Sequence, residues 1–176
     1  MQPVSTLHTG RLVLRPVAPA DFGDLAALKA DPRAYALILG GVRTRDQAAR
    51  ELADDLLFWG RNGFGMWTAR RCDDAAFVGT VGLMERPDGR GIALRFALAP
   101  EARKRGYASE AAGAVLRYGH DVARLARVIA VAKETNIASR QVLGAIGMHL
   151  CDRFPRGGET MLVYESVRGP APGAIS

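Results

Sequence analysis

The most informative stretch of this 176-residue chain is residues 96–110, Phe-Ala-Leu-Ala-Pro-Glu-Ala-Arg-Lys-Arg-Gly-Tyr-Ala-Ser-Glu. An apolar, strand-like run stops at Pro100. A cationic turn follows, with Arg103, Lys104 and Arg105 ahead of Gly106, Tyr107 and Ala108, and residues 109–122 then read as a helix opening at Ser109. The first turn of a helix carries backbone N–H groups with no partner inside the helix, and the helix dipole adds partial positive charge there. Such an end binds phosphate, and three full charges beside it strengthen the attraction. The turn is therefore expected to hold something phosphorylated. Its spacing is neither the Gly-x4-Gly-Lys-Ser/Thr loop of nucleotide binders nor the Gly-x-Gly-x-x-Gly turn of dinucleotide folds. Taken alone, the same six residues also read as a solvated basic turn.

The elements that must position this turn follow from periodicity. Residues 9–15 alternate apolar and polar side chains and read as a first strand, ended by Pro16. Asp21 opens an amphipathic helix to Lys29, which Asp31 and Pro32 break. Thr44 can cap a second helix to Trp59, in which Ala48, Leu52, Leu56 and Trp59 recur at helical spacing. Residues 66–71, 77–84 and 91–98 read as three strands with short links, the second link marked by Asp88 and Gly89, and so as an antiparallel meander. Beyond the helix at 109–122 come a strand at 127–132, a helix at 138–146 ending at Gly147, and a last strand at 161–167. The order is β-α-α-β-β-β-α-β-α-β. It predicts an α+β (mixed α/β) fold with one central, mostly antiparallel sheet flanked by helices. Residues 1–167 are expected to form a single domain, and residues 168–176, with two prolines and two glycines, a mobile tail.

Composition is that of an ordinary globular domain, 48% hydrophobic and 24% charged. No apolar run approaches the about 20 residues that a membrane helix needs, so no membrane partner is expected. Residues 1–10 lack a basic segment followed by an apolar one, so no signal peptide is read and the expected compartment is the cytoplasm. The net charge of +6 favours anionic partners, but the basic residues form no long tract and only Tyr107 lies among the densest of them. A nucleic-acid partner therefore rests on charge alone and is disfavoured. His8, His120 and His149 share no ligand spacing and Cys72 and Cys151 lie far apart, so no metal site is expected and both thiols are expected free.

Arg103-x-x-Gly106-x-Ala108 resembles the acyl-CoA pyrophosphate turn of the GNAT superfamily of N-acetyltransferases. Three segments match in order, the second of them, residues 96–111, containing that turn. Thr9-x-Arg11-Leu-x-Leu-Arg-Pro16 looks like the opening strand of the RimJ/RimL-like, ribosomal-protein-alanine type. Gly106-Tyr-Ala-Ser-Glu-Ala111 is similar to that family's Gly-Tyr-Ala-Thr-Glu-Ala. Asn136-Ile-Ala-Ser139-x-x-Val-Leu-x-x-x-Gly-Met148 is similar to its Asn-x-x-Ser-x-x-Val-Leu-x-x-x-Gly-Phe/Met. With residues 78–83, the resemblance covers roughly residues 9–167.

The resemblance implies acetyl-CoA as co-substrate, with no metal, and a homodimer as a family-level expectation. It implies that the backbone of Phe96, Ala97 and Leu98 binds the pantetheine arm as an added strand would. It assigns the pyrophosphate to Arg103, Lys104, Arg105, Gly106, Tyr107 and Ala108, mainly through main-chain donors, with Ser109 able to add a hydroxyl. Asn136 corresponds to an asparagine that holds the cofactor arm, although the same residue reads equally as a helix cap. Ser139 corresponds to a serine that protonates the departing thiolate. A thiol pKa of about 8.5 makes that a modest demand. Tyr107 and Tyr164 are alternative acids, and Glu85 is the candidate base. Lys104 stands where the family commonly has a glycine. Ala93 stands where the family often has a glutamate, which puts either the usual base or the usual acceptor in question.

The expected reaction is acetyl transfer from acetyl-CoA to a primary amine by direct attack in a ternary complex. The acceptor could be a protein N-terminus or a small amine such as an amino acid, polyamine or antibiotic. Residues 33–45 and the aromatics Phe58, Trp59, Phe64 and Trp67 are expected to shape its pocket, although most of these aromatics read equally as core. The alternative is a non-catalytic module of the same fold that binds or senses acyl-CoA.

Overall fold

The structure is a computed structural model that describes residues 5–170. Its strands are β1 (Leu7–His8), β2 (Leu12–Pro16), β3 (Met66–Arg71), β4 (Phe77–Glu85), β5 (Ile92–Leu98), β6 (Arg127–Lys133), β7 (His149–Arg156) and β8 (Glu159–Val167). They form one sheet in the order β1-β2-β3-β4-β5-β6-β8-β7. Every neighbouring pair is antiparallel except β5 and β6, which run parallel. The helices are α1 (Phe22–Ala30), the single turn α2 (Pro32–Tyr35), α3 (Arg45–Asn62), α4 (Tyr107–Asp121) and α5 (Ile137–Ala145).

Helix α4 lays Tyr107, Ala111, Ala112, Val115, Leu116 and Tyr118 against Leu12, Leu14, Trp67, Leu83 and Val128, and this is the main core. Helices α1 and α3 cover the other face through Leu25 and Leu52, which pack on Val17 and Met66. Local chemistry explains the boundaries. Thr44 Oγ1 accepts from Gln47 N–H at 3.2 Å while Thr44 N–H donates to Gln47 Oε1 at 2.8 Å, so α3 starts on a reciprocal capping box. Asp21 precedes α1 as expected, but its carboxylate accepts from Ala18 N–H at 2.9 Å rather than capping the helix.

The sheet exceeds the predicted order by the short β1 and by β7. Strand β7 is exposed along nearly its whole length and contains Pro155, so it shows neither apolar alternation nor β-propensity. Its partner fixes it instead. A two-residue turn at Gly157 (φ 58°) and Gly158 (φ 77°) folds it back on β8, and β7 survives as an edge strand, where proline is tolerated. Phe58, Trp59, Phe64 and Trp67 are core residues rather than pocket walls. Trp67 is fully buried, stacks edge-on with Trp59 and Tyr118, and donates Nε1–H to Ser5 O at 2.6 Å. Of the expected tail, residues 171–176 lie outside the described residues.

Candidate active site

Strand β5 is paired along its length on one side. Its register with β4 runs from Gly79 opposite Leu98 to Glu85 opposite Ile92. On the other side it touches β6 only at Ala93 opposite Ile129, after which the two parallel strands diverge. Ala99 N–H donates to Val78 O at 2.9 Å. Because backbone direction alternates along an unbroken strand, the N–H and C=O of Ala97 and Arg95 face β4, while those of Phe96 and Leu98 face the gap. Edge groups without a strand partner invite another extended chain.

The gap widens into a cleft of about 450 Å³. Phe96, Ala97, Asn136, Ser139 and Glu85 all line it, so the structure brings together residues far apart in the chain. Asn136 caps α5, its Oδ1 accepting from Ser139 N–H at 3.2 Å, which turns Ser139 toward the cleft as a half-buried residue of the first helical turn. Asn136 is thus a helix cap that also lines the cleft. Glu85 sits exposed at the end of β4 on the same wall. The alternative acids lie elsewhere. Tyr107 is packed in the core under the Arg11 guanidinium, 4.5 Å from its ring centre. The Tyr164 hydroxyl accepts from Arg140 Nε at 3.4 Å.

The cationic turn lies at the start of α4. Lys104 adopts φ 59° and Gly106 φ 79°, both left-handed, and no side chain caps the helix. Its first N–H groups are therefore free to bind an anion. Arg103, Lys104 and Arg105 are exposed around them, and Ala108 and Ser109 are half-buried in the first turn. Arg11 is a member of this site that its sequence position did not reveal. Its Nη1 donates to Arg105 O at 2.8 Å, and its guanidinium pairs with Glu110 at 2.7 Å. The pair ties the opening strand to the turn, and the spacing of 99 residues explains why no local pattern signals it.

The opposite wall of the cleft comes from α1, α3 and the loop 36–44. Arg43 pins that loop, donating to Leu39 O at 3.1 Å and to Gly41 O, and pairing with Glu51. Lys29 shares Glu51 at 2.5 Å. Burial pushes Glu51 up, but the hydrogen bonds from Lys29 and Arg43 outweigh it and hold the carboxyl below its usual range. Asp55 stands in the same wall without such help. Burial, with Glu51 and Asp54 adding to it against Lys29 and Arg95, pushes its carboxyl up to about 6. Nothing local in the sequence marks Asp55 or Arg95, since each is one charged residue among many.

Ala93 stands where the resemblance leads one to expect a glutamate. It is buried against Ile129 and Val163, so this floor of the cleft is apolar. His120 is structural, bonded to Leu125 O at 2.8 Å and Ser166 Oγ at 2.9 Å. Among the described residues no helix is long and apolar enough to cross a membrane, and no group of three or more His, Cys, Asp or Glu could hold a metal ion. Cys72 and Cys151 are exposed and free.

Comparison with known proteins fits this geometry. The acetyltransferase (GNAT) domain family matches residues 11–149. An acetyltransferase from Agrobacterium tumefaciens C58 superposes with a TM-score of 0.83 at 29% identity, covering 94% of this chain and 96% of that one. The Bacillus subtilis protein named uncharacterized N-acetyltransferase YjdG is 29% identical over 92 residues, which is 52% of this chain and 55% of that protein. The chain thus spans about half the length of that curated relative. The same fold occurs in RimL, the ribosomal L7/L12 α-N-protein acetyltransferase solved with coenzyme A, at a TM-score of 0.72 and 15% identity over 95% of this chain and 97% of that one.

Proposed function

This chain belongs to the acetyltransferase (GNAT) domain family, and from that premise we propose that it moves an acetyl group from acetyl-CoA to a primary amine. The observation that carries the reading is the parting of β5 from β6 after one residue pair, which leaves a strand edge open beside an uncapped helix N-terminus. A pantetheine arm and a diphosphate need those two features at one site. The residues present fit the group: Phe96 and Leu98 offer main-chain donors and acceptors, and the turn from Arg103 to Ser109 offers main-chain N–H groups and positive charge. Bound there, acetyl-CoA would supply an activated thioester.

The protein's own part is positioning and proton handling. Fixing an amine beside a carbonyl replaces a bimolecular encounter with a unimolecular one, so no covalent enzyme species is required. Ser139 Oγ holds the proton that a departing thiolate needs. Glu85 is the cleft-wall carboxylate that takes the proton from the amine, in place of the glutamate that Ala93 lacks. We assign residues 1–167 to one such domain.

Calorimetric titration with acetyl-CoA tests the reading, followed by an amine screen that detects free thiol. The wild type binds at micromolar concentration. Arg103→Ala/Arg105→Ala weakens binding at least about tenfold, the loss of one or two charge-assisted contacts. Ser139→Ala keeps the affinity and lowers kcat by about 100-fold, the low end of general acid catalysis. Absence of binding by the wild type overturns the proposal. Binding without release of thiol for any amine favours the acyl-CoA sensing module instead.

A further inference from the structure

Two charged side chains face each other across the cleft and neither is neutralised. Arg95, on β5, and Asp55, on α3, both line it. Among the described residues no carboxylate oxygen comes within 4.0 Å of the Arg95 guanidinium, and Asp55 takes part in no ion pair or hydrogen bond. Their neighbours are matched. Lys29 and Arg43 share Glu51, Arg86 holds Asp88 at 2.5 Å and Lys133 holds Glu159 at 3.0 Å. The exposed Asp54, Glu85 and Arg156 complete the charged rim.

Arg95 and Asp55 sense each other electrostatically, each favouring the other's charged form, yet they are not in contact. Asp55 is half-buried and Arg95 keeps an exposed face, yet the partial burial of its guanidinium, with Arg86 adding to the effect, holds it below its ordinary value. Separated opposite charges in a partly dry cleft leave a space whose complement is a molecule with one charge of each sign. Resting on the acetyltransferase reading of this cleft, we propose that the acceptor is a small amine that also carries a carboxylate, its nitrogen facing Asp55 and its carboxylate facing Arg95. A guanidinium binds a carboxylate through two parallel hydrogen bonds. A polyamine would bring its second cation against Arg95. The pinned loop 36–44 contributes Leu37, Ile38 and Leu39 to the cleft wall and bounds it on that side, which suits a compact acceptor.

The test compares α-amino acids with their primary amides and with polyamines, by thiol release at saturating acetyl-CoA. Each acid and its amide differ in the one charge that Arg95 reads. The wild type prefers acids on the order of 10–100-fold in kcat/KM, as expected for a hydrogen bond to a charged group. Arg95→Gln brings the ratio near one, mainly through KM. Asp55 must be ionised to hold the incoming ammonium group, which gives its proton to Glu85 before attack, so activity on acids falls as pH drops below about 6. The groups facing Asp55 are Lys29 from α1, Tyr35 from α2, Glu51 and Asp54 from α3, and Arg95 from β5. Asp55→Asn removes that limb of the pH profile. Amides or polyamines used as well as acids, or an acid-to-amide ratio unmoved in Arg95→Gln, overturn this inference alone. So does acetyl-CoA binding with no turnover of any carboxylate-bearing amine. Absence of acetyl-CoA binding overturns the acetyltransferase reading and this inference with it.

Discussion

The two edges of β5 are built from the same seven residues and behave in opposite ways. Toward β4 every residue from Ile92 to Leu98 has a partner in register. Toward β6 one residue does. The first edge is scaffold and the second is the proposed receptor. What separates them is backbone parity: Arg95 and Ala97 turn their N–H and C=O to the scaffold, Phe96 and Leu98 to the gap. Side chains follow a parity of their own. Ala97 packs toward Leu28 and Tyr35 on the acceptor wall, Arg95 enters the same cleft, and Phe96 packs toward α4. One strand thus presents backbone to the proposed cofactor and side chains to the proposed acceptor.

The largest expected effect tests that parity directly. Proline removes one N–H wherever it is placed. At Ala97 it deletes a ladder bond to β4 inside a central strand, and the expected loss is about 3 kcal/mol or more, enough to unfold a marginal domain. At Phe96 it deletes an N–H that faces the gap. Ala97→Pro should therefore fail to give a cooperative melt. Phe96→Pro should melt cooperatively, at reduced temperature because a half-buried ring is lost, and should bind acetyl-CoA at least about tenfold more weakly. Equal unfolding by both variants would break the distinction between the two edges.

The next effect concerns the acceptor wall, where a carboxylate is held out of water without a salt bridge. Asp55 has its pKa raised from 3.8 to about 6, chiefly by burial. A raised carboxyl pKa means that the folded state keeps its proton longer than the unfolded state. The contribution to stability is therefore best below about pH 4, falls as pH rises to about 6, and stays low above that. Fully realised, that change corresponds to nearly 3 kcal/mol, and partial exposure reduces it to about 2 kcal/mol. Urea unfolding should find Asp55→Asn more stable than the wild type by about that amount at pH 7.5 and no more stable at pH 4. A variant that is both stabilised and unable to use carboxylate-bearing amines would identify Asp55 as a site where stability is given up for binding. Destabilisation at pH 7.5 would mean that Asp55 is already satisfied by the fold.

The two halves of the site were unequally legible in the sequence. The elements of the proposed cofactor half were legible because its parts are contiguous and chemically distinctive: a strand end, a basic turn with Gly106, a helix start, and later Asn136 and Ser139 at the start of another helix. Main-chain donors at a helix start follow from local geometry. The acceptor half could not be read. Lys29, Tyr35, Glu51, Asp55 and Arg95 come from α1, α2, α3 and β5, and only the packing of two helices on one face of the sheet brings them to one cleft. The link from Arg11 to the turn was invisible in the same way, since its partner Glu110 comes 99 residues later, on α4. Strand β7 was missed because an edge strand held by a hairpin needs no apolar face. For the aromatics Phe58, Trp59, Phe64 and Trp67 the sequence left core and pocket both open, because it does not say which face a ring will meet.

The smallest effect lies within the legible half. Lys104 and Gly106 both occupy the left-handed region, at φ 59° and 79°, and only one of them is a glycine. That conformation costs a non-glycine residue about 1–2 kcal/mol. Glycine at position 104 would relieve the strain but lose up to about 1 kcal/mol through greater freedom of the unfolded chain. Lys104→Gly should thus gain about 0.5 kcal/mol. Gly106→Ala should lose about 1 kcal/mol, and its Cβ would lie 3.3 Å from Arg11 Nη2, loosening the clasp to Glu110. Thermal melts of the pair give the signs, and acetyl-CoA titration gives the meaning. If the turn works through main-chain N–H groups, Lys104→Gly binds within a few-fold of the wild type despite losing a charge. A tenfold loss would instead make the lysine ammonium a ligand in its own right and explain why the strain is tolerated where glycine is common.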